Sequence, residues 1–155
     1  MKTVLFGCQV VCLLAASAFY GQNVVAQEPS AKGKECSDAT LRGGFGYTST
    51  GTLLESYVPP PFAGPFGETG RQTFDGKGNT NATATVSSNG NISTVGINGT
   101  YTVNSDCTGS MTLNIPDFDT TVHANFVIDD NGTELRAIST DSGVIETRVY
   151  KKQCR

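Results

Sequence analysis

Residues 122–140 read VHANFVIDDNGTELRAIST, and this stretch decides the class of fold. Its first apolar residues recur at every second position, namely Val122, Ala124, Phe126 and Ile128. This period is typical of a strand with one buried face. The run Asp129-Asp130-Asn131-Gly132 follows, and these residue types favour a tight hairpin turn. A second alternating run begins directly after the turn, so the stretch predicts two antiparallel strands joined by a hairpin.

The same pattern extends over the rest of the chain from Thr40 onward. Alternating runs separated by turn signals predict eight strands, at residues 41–50, 68–74, 81–87, 92–103, 110–115, 122–128, 134–140 and 144–151. The one long connection, residues 53–65, joins the first two strands. An antiparallel meander of this size removes its exposed edges by closing into an up-and-down barrel. A two-sheet sandwich is the alternative, but it would need a long crossover later in the chain.

Composition and charge agree with an all-β domain and narrow the function classes. The chain is rich in Thr, Val, Asn and Ser, it has 18 glycines and no tryptophan, and its net charge is −3. No concentrated basic face with interleaved aromatic residues is visible, so we expect no nucleic-acid partner. The basic residues near the C-terminus are interpreted as a solvated strand end: Arg148, Lys151, Lys152 and Arg155.

Residues 1–26 have the layout of a secretory signal. Lys2 precedes an apolar run from Val4 to Ala18 that is too short for a transmembrane span, and Ala26 fits the position before a cleavage site. Cleavage after Ala18 is the alternative. The sequence therefore predicts a secreted, extracellular or periplasmic protein with no membrane anchor. Its mature chain would have a flexible N-terminal lead at residues 27–39 and a barrel domain at residues 40–153.

Three cysteines remain after the predicted signal: Cys36, Cys107 and Cys154. An odd number in an oxidising compartment predicts one disulfide and one spare thiol that could join two copies of the chain. Their wide spacing argues against a metal site. In an eight-stranded meander all three fall at the same barrel end. Closure between the first and last strands favours Cys36–Cys154, whereas a lead crossing the barrel floor would pair Cys36 with Cys107.

Few residues could carry chemistry. His123 is the only histidine and alternates with apolar positions, so it should point outward, and a hydrolase triad is excluded. Glu68 is the candidate catalytic acid, because counting back from Phe74 by twos places it inside the barrel near the mouth. Burial there would raise its pKa, whereas contact with water at the rim is the alternative. Tyr47, Gln72 and Tyr101 share the inward phase and are the candidate ligand-binding residues. No cofactor is expected.

Four runs of the sequence resemble a group of secreted bacterial proteins whose domain is similar to the allene oxide cyclase barrel. They are FDGKGN at 74–79, GTYTVN at 99–104, DCTG at 106–109 and FVIDDNG at 126–132. The resemblance covers about residues 36–153 and implies a lipocalin-like or dirigent-like eight-stranded barrel. It implies a Cys36–Cys107 disulfide, and for an enzyme it implies an isomerase or cyclase. Its motifs are strand and turn signatures, and none matches the catalytic residues of the plant enzymes.

Two functions are consistent with these observations. The first is a secreted barrel that binds, and in an enzymatic form isomerises or cyclises, a small apolar molecule. The second is an extracellular structural or interaction protein whose barrel is a filled core without catalytic activity. The absence of a catalytic constellation favours a protein that is not an enzyme. A continuous interior cavity of about 300 Å³ or more would favour the ligand.

Overall fold

The computed structural model describes residues 35–154, in which eight antiparallel strands form a closed barrel. The strands, in chain order, are β1 Arg42–Leu53, β2 Gly64–Asp75, β3 Asn79–Ser88, β4 Asn91–Val103, β5 Thr108–Ile115, β6 Thr120–Asp129, β7 Glu134–Ser139 and β8 Val144–Lys152. Each strand pairs with the next, and β1 pairs with β8 to close the sheet. The predicted fold class, strand order and up-and-down topology are confirmed. The predicted signal at residues 1–26 lies outside the described residues, as does most of the lead.

Helix is scarce in the described part of the chain. It consists of three single-turn 3₁₀ helices, at Asp38–Thr40, Pro116–Phe118 and Asp130–Gly132. Among residues 35–154, no helix has the length and apolar character needed to cross a membrane.

Seven of the eight strands are longer than the alternation of side chains predicts, and β7 is one residue shorter. β2 begins at Gly64 rather than at Glu68, and the connection after β1 shortens to residues 54–63. Backbone pairing of β2 with both of its neighbours explains the difference, because Leu53 of β1 pairs with Gly64 and Ser88 of β3 pairs with Phe66. Backbone pairing does not depend on the side-chain pattern, so sequence periodicity underestimates the length of a strand.

The alternating faces are those that the sequence predicts. In β6 the inward residues Val122, Ala124, Phe126 and Ile128 are all buried. His123, between two of them, faces outward with a side chain 51% exposed, and its Nδ1 lies 2.8 Å from Oδ1 of Asp141. The prediction of an outward histidine is confirmed.

The two ends of the barrel differ. We call the end that carries both chain termini of the domain and the turns after β2, β4 and β6 the disulfide end. We call the other end, with residues 54–63 and the turns after β3, β5 and β7, the loop end. Phe45, Phe74 and Tyr101 fill the disulfide end in edge-to-face contacts, with ring centroids 5.4 Å and 5.1 Å apart. Each fully buried ring stabilises the fold by roughly 1.5–3 kcal/mol.

The segment before β1 crosses the floor of the disulfide end. The Tyr101 hydroxyl donates to the backbone oxygens of Asp38 and Leu41 at 3.1 Å and 3.0 Å, which holds this segment across the barrel. Cys36 consequently reaches the turn after β4 and forms a disulfide with Cys107. This is the pairing that the resemblance implies. The Cys36–Cys154 alternative is wrong, because Cys154 is exposed and free beyond β8.

Candidate functional site

The loop end of the barrel contains a cavity of about 340 Å³. Its walls are largely apolar and include Leu53, Phe66, Val86, Val122 and Val144. Phe62 and Phe118 stand at the mouth and are also half exposed, at 41% and 51%. Small-molecule sites are typically concave and apolar, with volumes of roughly 300–1,000 Å³.

The cavity exists because the inward side chains differ in size along the barrel. At the disulfide end the inward positions carry aromatic rings, which meet one another across the interior. At the loop end the lining includes smaller side chains, among them Ser88, Ser93, Val95 and Thr120. An eight-stranded barrel is wide enough to be filled by large side chains or to hold one small ligand. The same fold is therefore packed in one half and open in the other.

Residues 54–63 form a loop over part of the mouth, which we call the mouth loop. It is held on one side by the Leu54 amide, which donates to the Gly143 oxygen at 2.9 Å. On the other side the Asn89 side-chain amide donates to the Pro61 oxygen at 2.9 Å. Tyr57 and Val58 of this loop line the cavity. The loop is thus anchored to two turns and contributes directly to the cavity wall.

Three charged side chains, Glu68, Glu146 and Arg148, lie at the inner end of the cavity, and we call them the floor cluster. They are only 8%, 4% and 5% exposed. The guanidinium of Arg148 lies between the two carboxyl groups. Its Nε donates to Oε1 of Glu146, and its Nη2 is 3.6 Å from Oε2 of Glu68. Each buried charge therefore lies next to an opposite charge, as buried charges generally require.

Two hydroxyl groups donate hydrogen bonds to the floor cluster. Ser49 donates to Oε1 of Glu146, and Tyr47 donates to Oε1 of Glu68. Tyr47 reaches Glu68 because its partner across the sheet is Gly70. A Cβ at Gly70 would lie 2.9 Å from the Tyr47 ring and 2.6 Å from the Thr83 oxygen. The missing side chain therefore makes room for the ring that supports Glu68.

The pKa values of Glu68, Tyr47 and Arg148 are shifted at the cavity floor. Loss of solvation raises the pKa of the Glu68 carboxyl, against the lowering effects of Arg148 and the Tyr47 hydrogen bond. Burial also raises the pKa of the Tyr47 hydroxyl. For Arg148, burial alone would lower the pKa, but Tyr150 and the two carboxylates raise it well above its ordinary value. The cavity floor thus holds the positive charge of Arg148 beside the Glu68 carboxyl, whose pKa is raised.

The four predicted site residues do not meet in one place. Glu68 lines the cavity, but it lies deep inside rather than in contact with water at the rim, and Tyr47 contacts it. Gln72 is fully buried in the packed half, where its Nε2 donates to Oγ1 of Thr80 at 2.9 Å. Tyr101 lies at the disulfide end. The structure brings Glu68 and Tyr47 together and places Gln72 and Tyr101 outside the cavity lining.

Sequence reasoning missed Arg148, and the adjacent apolar residues Val144 and Ile145 leave the face on which Glu146 lies ambiguous. Arg148 is not part of a solvated strand end, because its side chain is 5% exposed inside the barrel. The signal that could have found it is the fully buried Tyr150. Counting back from Tyr150 by twos places both Arg148 and Glu146 on the inner face of β8. Among residues 35–154, no three His, Cys, Asp or Glu side chains are grouped to hold a metal ion.

Glu68→Gln should change how stability depends on pH. The pKa of Glu68 is raised in the folded state, so this state binds the proton more tightly than the unfolded state does. The free energy of unfolding then falls as the pH rises from the ordinary glutamate pKa through the raised one. Glutamine does not titrate, so the variant should gain stability relative to the wild type as the pH rises. Urea unfolding followed by circular dichroism at several pH values measures this.

The control for this experiment is Glu55→Gln. It makes the same chemical change on the exposed mouth loop, where no burial accompanies it. If the difference in unfolding free energy between Glu68→Gln and the wild type stays constant with pH, the pKa of Glu68 is not raised in the folded state.

Comparisons with known proteins agree on the fold. No protein-family model matches the chain, and no curated protein matches it. Two solved structures of redesigned β-barrels are similar to it, each at 18% sequence identity. One has a TM-score of 0.54, covering 76% of this chain and 95% of the other, and the second has a TM-score of 0.50, covering 74% and 97%. The second was solved bound to DFHBI. The fold and site together define the class: a closed eight-stranded antiparallel barrel with a cavity at one end.

Proposed function

We propose that this protein binds a small, mainly apolar molecule in the cavity at the loop end of the barrel. The observation that carries the proposal is the cavity itself, with a volume of about 340 Å³, apolar walls and a few polar groups at its inner end. Apolar walls supply most of the binding free energy, and a small number of polar groups fix the orientation of the ligand. A redesigned barrel of similar architecture bound to DFHBI supports the view that such a barrel can hold a ligand.

The proposal includes export of the protein. Cys36 and Cys107 form a disulfide, and disulfides persist mainly in oxidising compartments. Together with the predicted signal at residues 1–26, the bridge supports a secreted or periplasmic location.

The alternative of a structural protein with a filled barrel fits only the disulfide end. There the aromatic rings pack against one another, whereas the loop end contains the cavity. We therefore favour ligand binding over a purely structural role.

An isomerase or cyclase of the allene oxide cyclase-like type is a second candidate function. Glu68 favours it, because a cavity-lining carboxyl with a raised pKa can act as a proton donor. Catalysis would then depend on Glu68 while ligand binding would not. Product formation from bound ligands by the wild type and by Glu68→Gln distinguishes the two candidates, and equal product from both proteins would remove Glu68 from the mechanism.

Ser93→Phe tests the binding proposal. Ser93 lines the cavity from β4, so a phenyl ring at this position should fill part of it. We expect the affinity for the apolar probe N-phenylnaphthylamine to fall by roughly tenfold or more, equivalent to about 1.4 kcal/mol. The increase in probe fluorescence on titration with protein measures this affinity.

The matched control is Thr94→Phe. Thr94 is the next residue of β4 and is exposed on the outer face of the barrel. It should bind the probe as the wild type does. Equal affinities for all three proteins would place the probe outside the cavity, and a wild-type protein that does not bind the probe would contradict the proposed function.

A further inference from the structure

Two buried polar atoms of residues that line this same cavity have no hydrogen-bonding partner among residues 35–154. They are Oη of Tyr57, on the mouth loop, and Nη1 of Arg148, in the floor cluster. Arg148 is about nineteen-twentieths buried, and its other two guanidinium nitrogens face Glu146 and Glu68. Folded proteins satisfy most buried polar groups, so such a pair in one cavity indicates that the cavity's occupant contributes to satisfying them.

Tyr57 and Arg148 belong to the lining of one cavity, and they interact electrostatically. Burial raises the pKa of the Tyr57 hydroxyl, as do the Asp141 and Glu146 carboxylates, whereas the Arg148 guanidinium lowers it. The mouth loop therefore brings one hydroxyl towards the charged floor.

The chemistry of these atoms determines what they can bind. A guanidinium nitrogen only donates hydrogen bonds, and a tyrosine hydroxyl readily donates one. Oε1 of Glu68 accepts a hydrogen bond from Tyr47, and Oε1 of Glu146 accepts hydrogen bonds from Ser49 and Arg148. Nη1 of Arg148 and Oη of Tyr57 therefore remain as donors that an acceptor atom of a ligand can satisfy.

The charge of the site limits what that acceptor can be. A ligand carboxylate would add a third acidic group beside a single guanidinium. A ligand ammonium would add a donor rather than an acceptor. An uncharged oxygen acceptor avoids both conflicts.

We propose that the cavity takes an uncharged apolar molecule with a carbonyl-type oxygen, such as a ketone or ester, which accepts hydrogen bonds from Arg148 and Tyr57. This inference rests on the proposed function, since it names the ligand class of the same cavity. The apolar body of the ligand would contact the walls, and its oxygen would point to the floor cluster.

Four ligands of one shape test this inference: fluorene, fluorenone, fluorenylcarboxylate and fluorenylammonium. Equilibrium dialysis against the intact protein at neutral pH gives the affinity of each. Fluorenone should bind about tenfold more tightly than fluorene, because it adds one oxygen that accepts from a charged donor. The carboxylate and the ammonium should bind more weakly than fluorenone.

Tyr57→Phe examines the same preference in a variant that keeps the ring. It should reduce the ratio of fluorenone to fluorene affinity by about threefold and leave fluorene binding unchanged. Tyr101→Phe removes the same hydroxyl group at the opposite end of the barrel, and its ratio should equal that of the wild type. Circular dichroism on each variant establishes that it is folded.

Three other outcomes would contradict the inference, the proposed function or the role of Tyr57. Equal binding of fluorene and fluorenone, or tightest binding of either charged ligand, would overturn the inference while the proposed function stands. If none of the four ligands binds, the inference and the proposed function both fail. An unchanged affinity ratio in Tyr57→Phe would remove Tyr57 from the site.

Discussion

Arg148→Met is expected to destabilise the protein by about 3–5 kcal/mol at neutral pH, the cost typical of removing one partner from a buried ion pair. Methionine fills much of the volume of arginine but carries no charge. Glu68 and Glu146 would then lie in the interior without the cation that now separates them. The Tyr47 ring, whose centroid is 5.7 Å from the Arg148 guanidinium carbon, would also lose its cationic neighbour. Urea unfolding followed by circular dichroism measures the loss.

The size of this loss should depend on pH. Arg148 lowers the pKa of Glu68, so its removal raises that pKa further above the ordinary value. The folded state of the variant then binds protons more tightly than the unfolded state, and the loss of stability should shrink as the pH falls. If the loss of stability is the same at acidic and neutral pH, unpaired buried carboxylates are not its cause.

Two further variants separate charge from packing. Arg136→Met makes the same change in an exposed side chain paired with Asp129, and it should cost much less, because surface ion pairs contribute little. Adding Glu146→Gln to Arg148→Met removes one of the two unpaired carboxylates and should restore part of the lost stability. If the double variant is no more stable than Arg148→Met, lost packing rather than charge would explain the result.

Replacing both bridged cysteines, in Cys36→Ser/Cys107→Ser, is expected to destabilise the protein by roughly 4 kcal/mol. The bridge joins residues 71 positions apart, and in the chain-entropy model a loop of this length restricts the unfolded chain by about that amount. Serine at position 107 must adopt the same positive φ, 68°, so the backbone requirement is unchanged. Urea unfolding of the double variant, and of the wild type with and without reductant, measures the effect.

Cys154→Ser is the control for the disulfide. Cys154 is exposed and free, so its replacement should leave the stability of the monomer unchanged. The expectation that this thiol joins two copies of the chain stays a prediction, and non-reducing electrophoresis of the wild type and Cys154→Ser tests it. A loss of stability in Cys154→Ser equal to that of the double variant would contradict the observed pairing.

Removal of the disulfide should leave ligand binding in the cavity unchanged. The bridge lies at the disulfide end of the barrel, whereas the cavity opens at the loop end. At urea concentrations where the double cysteine variant is still folded, its affinity for N-phenylnaphthylamine should match that of the wild type. A large change in affinity would show that the two ends are coupled.

The strands were predictable because their signal is local. Side chains alternate across a strand with a period of two, so the buried set in β6 could be identified from neighbouring residues alone. The turn at Asp75-Gly76 was predictable for the same reason, since the Asp75 carboxylate accepts from the backbone amides of Lys77 and Asn79. Both features depend on residues within a few positions of one another.

The orientation of Arg148 and Glu146 could be determined only in part from the sequence. Tyr150 indicates the inner face of β8, but the charge of Arg148 and its basic neighbours suggested a solvated strand end. Burial of the guanidinium depends on Glu68 and Glu146, and Glu68 belongs to a strand far away in the sequence. No local pattern reports whether a charged residue will find its partner.

The sequence by itself determined the number and order of the strands, the inward faces of β1, β2, β4 and β6, and the common barrel end of the three cysteines. The tertiary structure decided which inward residues share a height in the barrel, and therefore which of them form the site. Alternation gives the side of the sheet on which a residue lies, whereas height depends on strand register. That register sets Tyr47 opposite Gly70 on β2 and Tyr150 on β8. Glu68 consequently meets Arg148 at the cavity floor, while Gln72 and Tyr101, on the same inner surface, pack towards the disulfide end.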